Sequence, residues 1–433
     1  GRFAVAKSRL PPGTTVLLEA PLVNPVLNAS HYGSRCRLCF GPVPLSPLGV
    51  SAAVEPHCSE RCARLDPDYE HDRRGAAAIH PHEPTPTVLL GCRLLRLLAG
   101  APDLPAAKAQ AERFVANLEH FSREETEAFE AMAAMVGRFS QLSAATPDER
   151  DIAAKLGKDW LVALVARLSQ NGFTVADSEC QPLGMGLYEA GSAVNHSCCP
   201  TVVSSFKLEQ GGPPKLKMRT CRDVREGGEL SNAYIDVGMP VAARRRELKE
   251  SYCFECECEA CRDFEKDVWV EGRRCAEDGC KGCVGWKDGK RACVACGREG
   301  REGQEGEGEG GDELSVNTVG GMEERRLEEV WRSSYKLSHA RLCSGNELVM
   351  RYIDQQRFGD AAKVLKGTME AMDFCLFENS PVVGVGLFKL VKLLEYEEVE
   401  LELAGRLRAR AADVLRICYG EDDPLYKEVI ERW

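Results

Sequence analysis

The sequence predicts an α+β fold: small antiparallel β-sheets, an inserted helical subdomain, zinc modules and an all-helical C-terminal domain. Short runs of β-branched and apolar residues lie between Gly- and Pro-containing turns, in the manner of half-buried strands. Between 86 and 168, and again toward the C-terminus, apolar residues recur three and four apart, the period of a helix. The 21 cysteines are not spread evenly, and most fall into three clusters with close pairs.

These 433 residues exceed what one compact core organises, so two to four modules are expected. With 44% hydrophobic and 28% charged residues, the composition is that of an ordinary soluble protein. No run of about 18 uncharged apolar residues is present, so no membrane span is expected. The chain opens on Gly1 with no basic-then-apolar signal pattern, and a longer head is expected upstream. A net charge of -11 argues against a general nucleic-acid binder, whose affinity rests on Lys and Arg at phosphates. It suits a basic partner instead.

In chain order, Gly1 to Ala6 and Thr14 to Pro21 flank a Pro-Pro-Gly turn and predict two short strands, a plain hairpin being the simplest arrangement. Cys36, Cys39, Cys58 and Cys62 form two close pairs across a Pro- and Gly-rich loop, which a tetrahedral thiolate site would draw together. The stripe Phe114, Leu118, Phe121, then Phe129, Met132, Val136 predicts helix with these residues in the core. Strands are expected at Gly172 to Val175, at Val202 to Phe206 and at Lys215 to Arg219, the last two across a Gly-Gly-Pro-Pro turn. A basic helical run over 241–252 leads into Cys256-x-Cys258-x2-Cys261. Cys275, Cys280, Cys293 and Cys296 then show zinc-ribbon spacing, with Cys283 as an alternative ligand. Gly and Glu repeats over 299–313 cannot bury enough apolar surface to fold and predict an acidic linker. Paired, closed cysteine sets point to zinc rather than disulfides, and so to cytosol or nucleus. A zinc hydrolase is not expected, because no His-rich open site is visible.

The stretch Asn195-His196-Ser197-Cys198-Cys199-Pro200, with Tyr234 and the run from Tyr252 through Cys261, resembles the catalytic SET domain of protein lysine methyltransferases. Asn171-Gly172-Phe173-Thr174, Gly184-Met185-Gly186-Leu187-Tyr188 and Tyr234-Ile235-Asp236 narrow the resemblance to the SET and MYND branch, the SMYD-like proteins. The resemblance implies a SET N-terminal part (1–32), a MYND-type finger (33–75), a helical insert (86–168), a SET core (169–236) and a post-SET segment (237–263). Spacing adds a zinc-ribbon-like insert (270–298) and a linker (299–315). A TPR-like helical domain (316–433) is implied by Gln356 to Ala362 and Tyr419 to Pro424, with room for two or three helix pairs.

The implied activity is methyl transfer from S-adenosylmethionine to lysine side chains of histone or other proteins. Phe173, Tyr234 and Tyr252 match the family's aromatic channel, and Tyr234 is expected to align the amine and favour transfer through its hydroxyl. Asn195 and His196 match the cofactor-binding pair, and Phe254 is placed to stack near the adenine. His120 and Arg2 are further cofactor-site candidates, since Gly1 matches the second glycine of the family's Gly-x-Gly. Cys198 is expected to join Cys256, Cys258 and Cys261 on one zinc. The finger departs from the family: only four of eight ligands are evident, His71 reads as a surface residue, and Gly75 occupies the eighth position. About three zinc ions per chain follow. Protein partners are expected through the finger and the tail, with a monomeric chain and no sequence-specific nucleic acid. The rival reading is a catalytically weak scaffold built from the same modules.

Overall fold

Strands β1 (Ala4–Val5), β2 (Thr15–Glu19), β3 (Val26–Leu27), β4 (Gly172–Ala176), β5 (Pro182–Leu187), β6 (Asn195–His196), β7 (Val202–Lys207), β8 (Lys215–Thr220) and β9 (Glu229–Asn232) build three small sheets, ordered β1-β9-β6, β2-β8-β7 and β3-β5-β4. The computed structural model describes residues 3–44, 56–272, 275, 277–280, 282–287, 290–299 and 316–431. Gly1, Arg2 and residues 300–315 of the expected linker lie outside the described residues. Every strand pair in these sheets is antiparallel except β6 with β9, which run parallel.

The first two strands do not form a hairpin. β1 pairs with β9 and β2 with β8, so the Pro-Pro-Gly turn carries the chain from one sheet to another. Gly13 allows this with φ of +84°, and its N–H donates to the Thr220 carbonyl at 2.7 Å. Along β8 the alternation holds: Leu216, Met218 and Thr220 are buried while Lys215, Lys217 and Arg219 are half-buried. β7 breaks it, because Val202 and Val203 are both buried. Val202 joins the sheet core, whereas Val203 packs into the core of the helical tail, so this strand is covered on both faces.

Helices Pro86–Ala99, Arg123–Ser143, Pro147–Leu156 and Lys158–Asn171 pack around Leu90, Leu94, Leu95, Val136, Leu164 and Leu168. The expected stripe is split here. Phe129, Met132 and Val136 do share the long helix, but Phe114, Leu118 and Phe121 do not lie on one helix. Asn117 takes a left-handed conformation (φ +46°), a single 3-10 turn follows, and a new helix starts at the Ser122–Glu125 capping box. Phe114 is core all the same, at 3% exposure.

The finger segment is tied to this bundle by buried charges. From the Cys36–Cys39 loop, Arg37 Nη2 donates to Asp72 Oδ2 at 2.7 Å, and Arg93 Nη2 donates to the same oxygen at 2.6 Å. Arg93 also donates to the carbonyls of Asn24 and Pro25, and Arg96 pairs with Asp68. His71 is half-buried rather than at the surface, with Nδ1 3.1 Å from the Ser143 carbonyl, and it stands apart from the finger's thiols.

Helices Glu324–Ser333, His339–Asp354, Phe358–Cys375, Pro381–Tyr396, Leu401–Cys418 and Pro424–Glu431 each pack on the next, as in a short repeat array. Polar contacts dock this tail on the sheets: Lys217 Nζ donates to the Tyr419 carbonyl (2.7 Å), Arg219 Nε to the Ile417 carbonyl (2.9 Å) and Asn379 Nδ2 to the Cys221 carbonyl (2.7 Å). No helix among the described residues is long and apolar enough to cross a membrane.

Gly75 lies on helix Tyr69–Ile79 against the buried ring of Phe139, where a Cβ would stand 2.4 Å from Cζ. Gly75→Ala is therefore expected to overpack this contact and lower stability by about 1–3 kcal/mol. Thermal unfolding of the two proteins measures it.

Candidate active site and metal sites

The parallel pairing of β6 with β9 sets Asn195 opposite Ser231 and His196 opposite Asn232, so the chain leaving β9 brings Tyr234 beside the imidazole. The Tyr234 N–H donates to His196 Nδ1 at 3.0 Å. That nitrogen must accept, so the ring proton sits on Nε2, which points at Cys198 Sγ 3.3 Å away. Burial pushes His196 down to about 4, and the ring is neutral near pH 7.

Four rings then form a continuous group. His196 lies 5.3 Å from Tyr234 and 5.9 Å from Phe254, and Tyr234 lies 5.0 Å from Tyr252, all between centroids. The Tyr234 hydroxyl donates to the Val194 carbonyl at 2.6 Å, and burial raises both tyrosines above their ordinary range, so both stay neutral phenols. Tyr252 ends helix Val241–Tyr252, and Cys253, left-handed at φ +62°, turns the chain toward Phe254 and the cysteines beyond.

Two cavities meet at this group. The larger, about 1090 Å³, is lined by Asn195, His196, Tyr234, Tyr252, Phe254 and Glu229, and it borders Cys256 and Cys258. The smaller, about 250 Å³, is lined by Phe173, Phe206, Tyr234, Tyr252 and, from the tail, Pro381 and Tyr419. Tyr234 and Tyr252 belong to both walls, as do Gln170, Asn171 and Ser192. Phe173 sits on β4 with its ring edge-on to Tyr188 at 5.7 Å, so it faces only the smaller space.

His120 is not gathered in. It ends the 3-10 turn with 58% of its side chain exposed and lines neither cavity, because that turn points it to solvent beside Glu119. Arg2 lies outside the described residues. Two neighbours have no sequence signal. Glu229 Oε1 accepts from Asn195 Nδ2 at 2.9 Å across the parallel pair, and Asn117 reaches the larger cavity while donating to Gln170 at 2.8 Å. Both depend on strand pairing and insert packing, which spacing does not encode.

Among the described residues, cysteines gather in three sets of four: Cys36, Cys39, Cys58, Cys62; Cys198, Cys256, Cys258, Cys261; and Cys275, Cys280, Cys293, Cys296. Within each set neighbouring sulfurs stand 3.6–3.7 Å apart, as for Cys39 and Cys58, Cys198 and Cys261, and Cys280 and Cys293. A disulfide needs about 2.05 Å. A tetrahedron of thiolates at the usual zinc distance has edges of about 3.8 Å. The donor sets therefore suit zinc. In the third set β10 (Val284–Lys287) and β11 (Lys290–Cys293) form the ribbon's hairpin. The structure selects Cys280 and leaves Cys283 buried outside the set.

Arg244 is the residue sequence reasoning missed here. It is 5% exposed, donates to the carbonyls of Val237, Met239 and Ala260, and stands 3.8 Å from Cys261 Sγ. Its cation lies against the cluster, in which Cys258 is held far below the usual thiol range by Cys198, then Cys199 and Cys261. In the sequence it is one of three consecutive arginines, and only packing distinguishes it.

No family model matches the chain. It is 28% identical over 278 residues to human (Homo sapiens) "Histone-lysine N-methyltransferase SMYD3", covering 62% of each protein. It is also 28% identical over 257 residues to "N-lysine methyltransferase SMYD2" of Bos taurus, 58% of this chain and 56% of the relative. The chain is similar to the SMYD lysine methyltransferases over about three fifths of its length. The match spans 62% of the first relative's length and 56% of the second's.

Because each cysteine set is complete by itself, Cys39→Ser, Cys258→Ser and Cys293→Ser are each expected to lower zinc content by one ion per chain. Elemental analysis of the purified variants checks the three losses separately.

Proposed function

We propose that this chain is a protein-lysine N-methyltransferase that uses S-adenosylmethionine. The observation that carries the reading is the pair of cavities sharing Tyr234 and Tyr252 as a common wall, one large enough for a cofactor and one narrow and aromatic. The residues present fit the cofactor: the larger cavity combines the Asn195 amide and Glu229 carboxylate, suited to an amino-acid end, with the Phe254 ring, suited to a base. When bound, S-adenosylmethionine supplies an electrophilic methyl group.

The chain's own residues would do the rest. A lysine entering past Phe173 would lie against the wall formed by Tyr234 and Tyr252, whose rings exclude water and tolerate the cationic product. The low dielectric among these rings disfavours the ammonium form, so the amine arrives as the free base. Tyr234 donates its hydroxyl proton to the Val194 carbonyl, which leaves the phenolic oxygen's lone pairs free to accept from the incoming amine. Asn195 and His196 would hold the cofactor, while Cys198, Cys256, Cys258 and Cys261 would hold the zinc that keeps Tyr252 and Phe254 in place. The net charge of -11 favours a basic protein substrate such as a histone tail.

Tyr234→Phe should retain cofactor binding and lose most turnover, since it removes a transition-state contact and little volume. A loss of about 1–3 kcal/mol of stability is expected with it, because the Val194 carbonyl loses its donor. Methyl transfer from labelled cofactor to histones or cell extract reads the turnover, and equal rates would remove Tyr234 from its role. Asn195→Ala should weaken cofactor binding by calorimetry. If the wild-type full chain binds no S-adenosylmethionine at all, the scaffold reading replaces this one.

A further inference from the structure

Among the described residues, one more group of ligating side chains converges outside the cysteine sets, and it lies between the helical tail and the loop that follows Tyr234. Helix His339–Asp354 opens with His339 and carries Cys343 one turn on, so both project from one face. They meet Asp236, two residues past Tyr234, and the three ligand atoms lie within 4.8 Å of one another. His339 Nε2 is 3.1 Å from Asp236 Oδ2 and 3.1 Å from Cys343 Sγ.

Nδ1 lies farther from Cys343 Sγ, at 3.8 Å, so the two short approaches converge on Nε2. One ring nitrogen carries either a proton or a lone pair, so it serves one of the two neighbours in full and not both. An ion at the centre is bound by all three at once. Around a tetrahedral zinc the N···O and N···S edges would be about 3.4 and 3.6 Å, so the observed separations need to open by only a few tenths of an ångström. Asp236 Oδ1 is already engaged by the Gly238 N–H at 2.8 Å, which orients the carboxylate and leaves Oδ2 to ligate. His339 and Cys343 are buried, at 4% and 3% exposure, while a third of the Asp236 side chain remains open, leaving one side for a water.

We propose that Asp236, His339 and Cys343 form a fourth, three-ligand zinc site that clamps the helical tail to the Tyr234 loop. One oxygen, one imidazole nitrogen and one thiolate suit a borderline-soft divalent ion, and binding releases the Cys343 proton. The site differs in kind from the cysteine sets: it has three protein donors instead of four, so its ion is held less tightly and exchanges first.

The test uses the full chain purified with zinc present and no chelator. Diffraction collected at the zinc absorption edge is expected to place an anomalous peak between Asp236 Oδ2, His339 Nε2 and Cys343 Sγ, besides one in each cysteine set. Elemental analysis should give four ions per chain, three for His339→Ala and three for Cys343→Ser, with a mild chelator first removing one ion from the wild type and none from His339→Ala. Absence of the peak from zinc-loaded wild-type crystals overturns the site and leaves a hydrogen-bonded trio. Zinc content unchanged by His339→Ala overturns it as well. The wild-type diffraction decides the matter even if a variant fails to fold, and neither measurement depends on methyl transfer.

Discussion

Four sulfur atoms from Cys198, Cys256, Cys258 and Cys261 are brought within 4.8 Å of one another, across more than fifty residues of chain, and the aromatic site hangs from that junction. Four thiols confined together repel as they ionise, and without compensation the segment carrying three of them would separate from the core. Arg244 supplies part of the compensation from the buried side, and a bound cation would supply the rest. Tyr252 and Phe254 precede the first cysteine of the segment, so anchoring the sulfurs fixes both rings against His196 and Tyr234.

The second constraint is the parallel pair of β6 and β9. It is only two residues long, yet it sets the distance between the Asn195-His196 strand and the tyrosine that follows β9. The Tyr234 N–H bond to His196 Nδ1 extends this pairing by one step and fixes the tautomer that aims Nε2 at Cys198. Ring orientation, strand register and the thiol cluster are thus parts of one hydrogen-bonded unit. The tail closes part of the smaller cavity's wall from the other side through Pro381 and Tyr419.

The finger segment follows a different logic. Its sulfurs lie close in sequence, and its attachment to the helical insert runs through Arg37, Asp72 and Arg93 rather than through the aromatic group. A metal held by these sulfurs would brace that buried ion network, whose charges remain tolerable only while paired.

Sequence alone carried far for features written in local spacing. Paired cysteines, alternation in Leu216 and Met218, and the stripe Phe129, Met132, Val136 each reflect a period that the backbone imposes, and each appears where expected. Local spacing failed where a partner distant in the chain decides. The Phe114 to Phe121 stripe was interrupted by a left-handed Asn117, the first two strands took partners about two hundred residues away, and His120 was left in solvent by the same turn. Arg244, Glu229 and the Asp236–His339–Cys343 group gave no signal at all, since a charged residue looks the same in sequence whether it faces water or a buried ligand. Which cysteines, rings and carboxylates could act was settled by residue type and spacing. Which of them share one volume was settled by burial and strand pairing, because those free energies arise only when segments remote in sequence exclude water together.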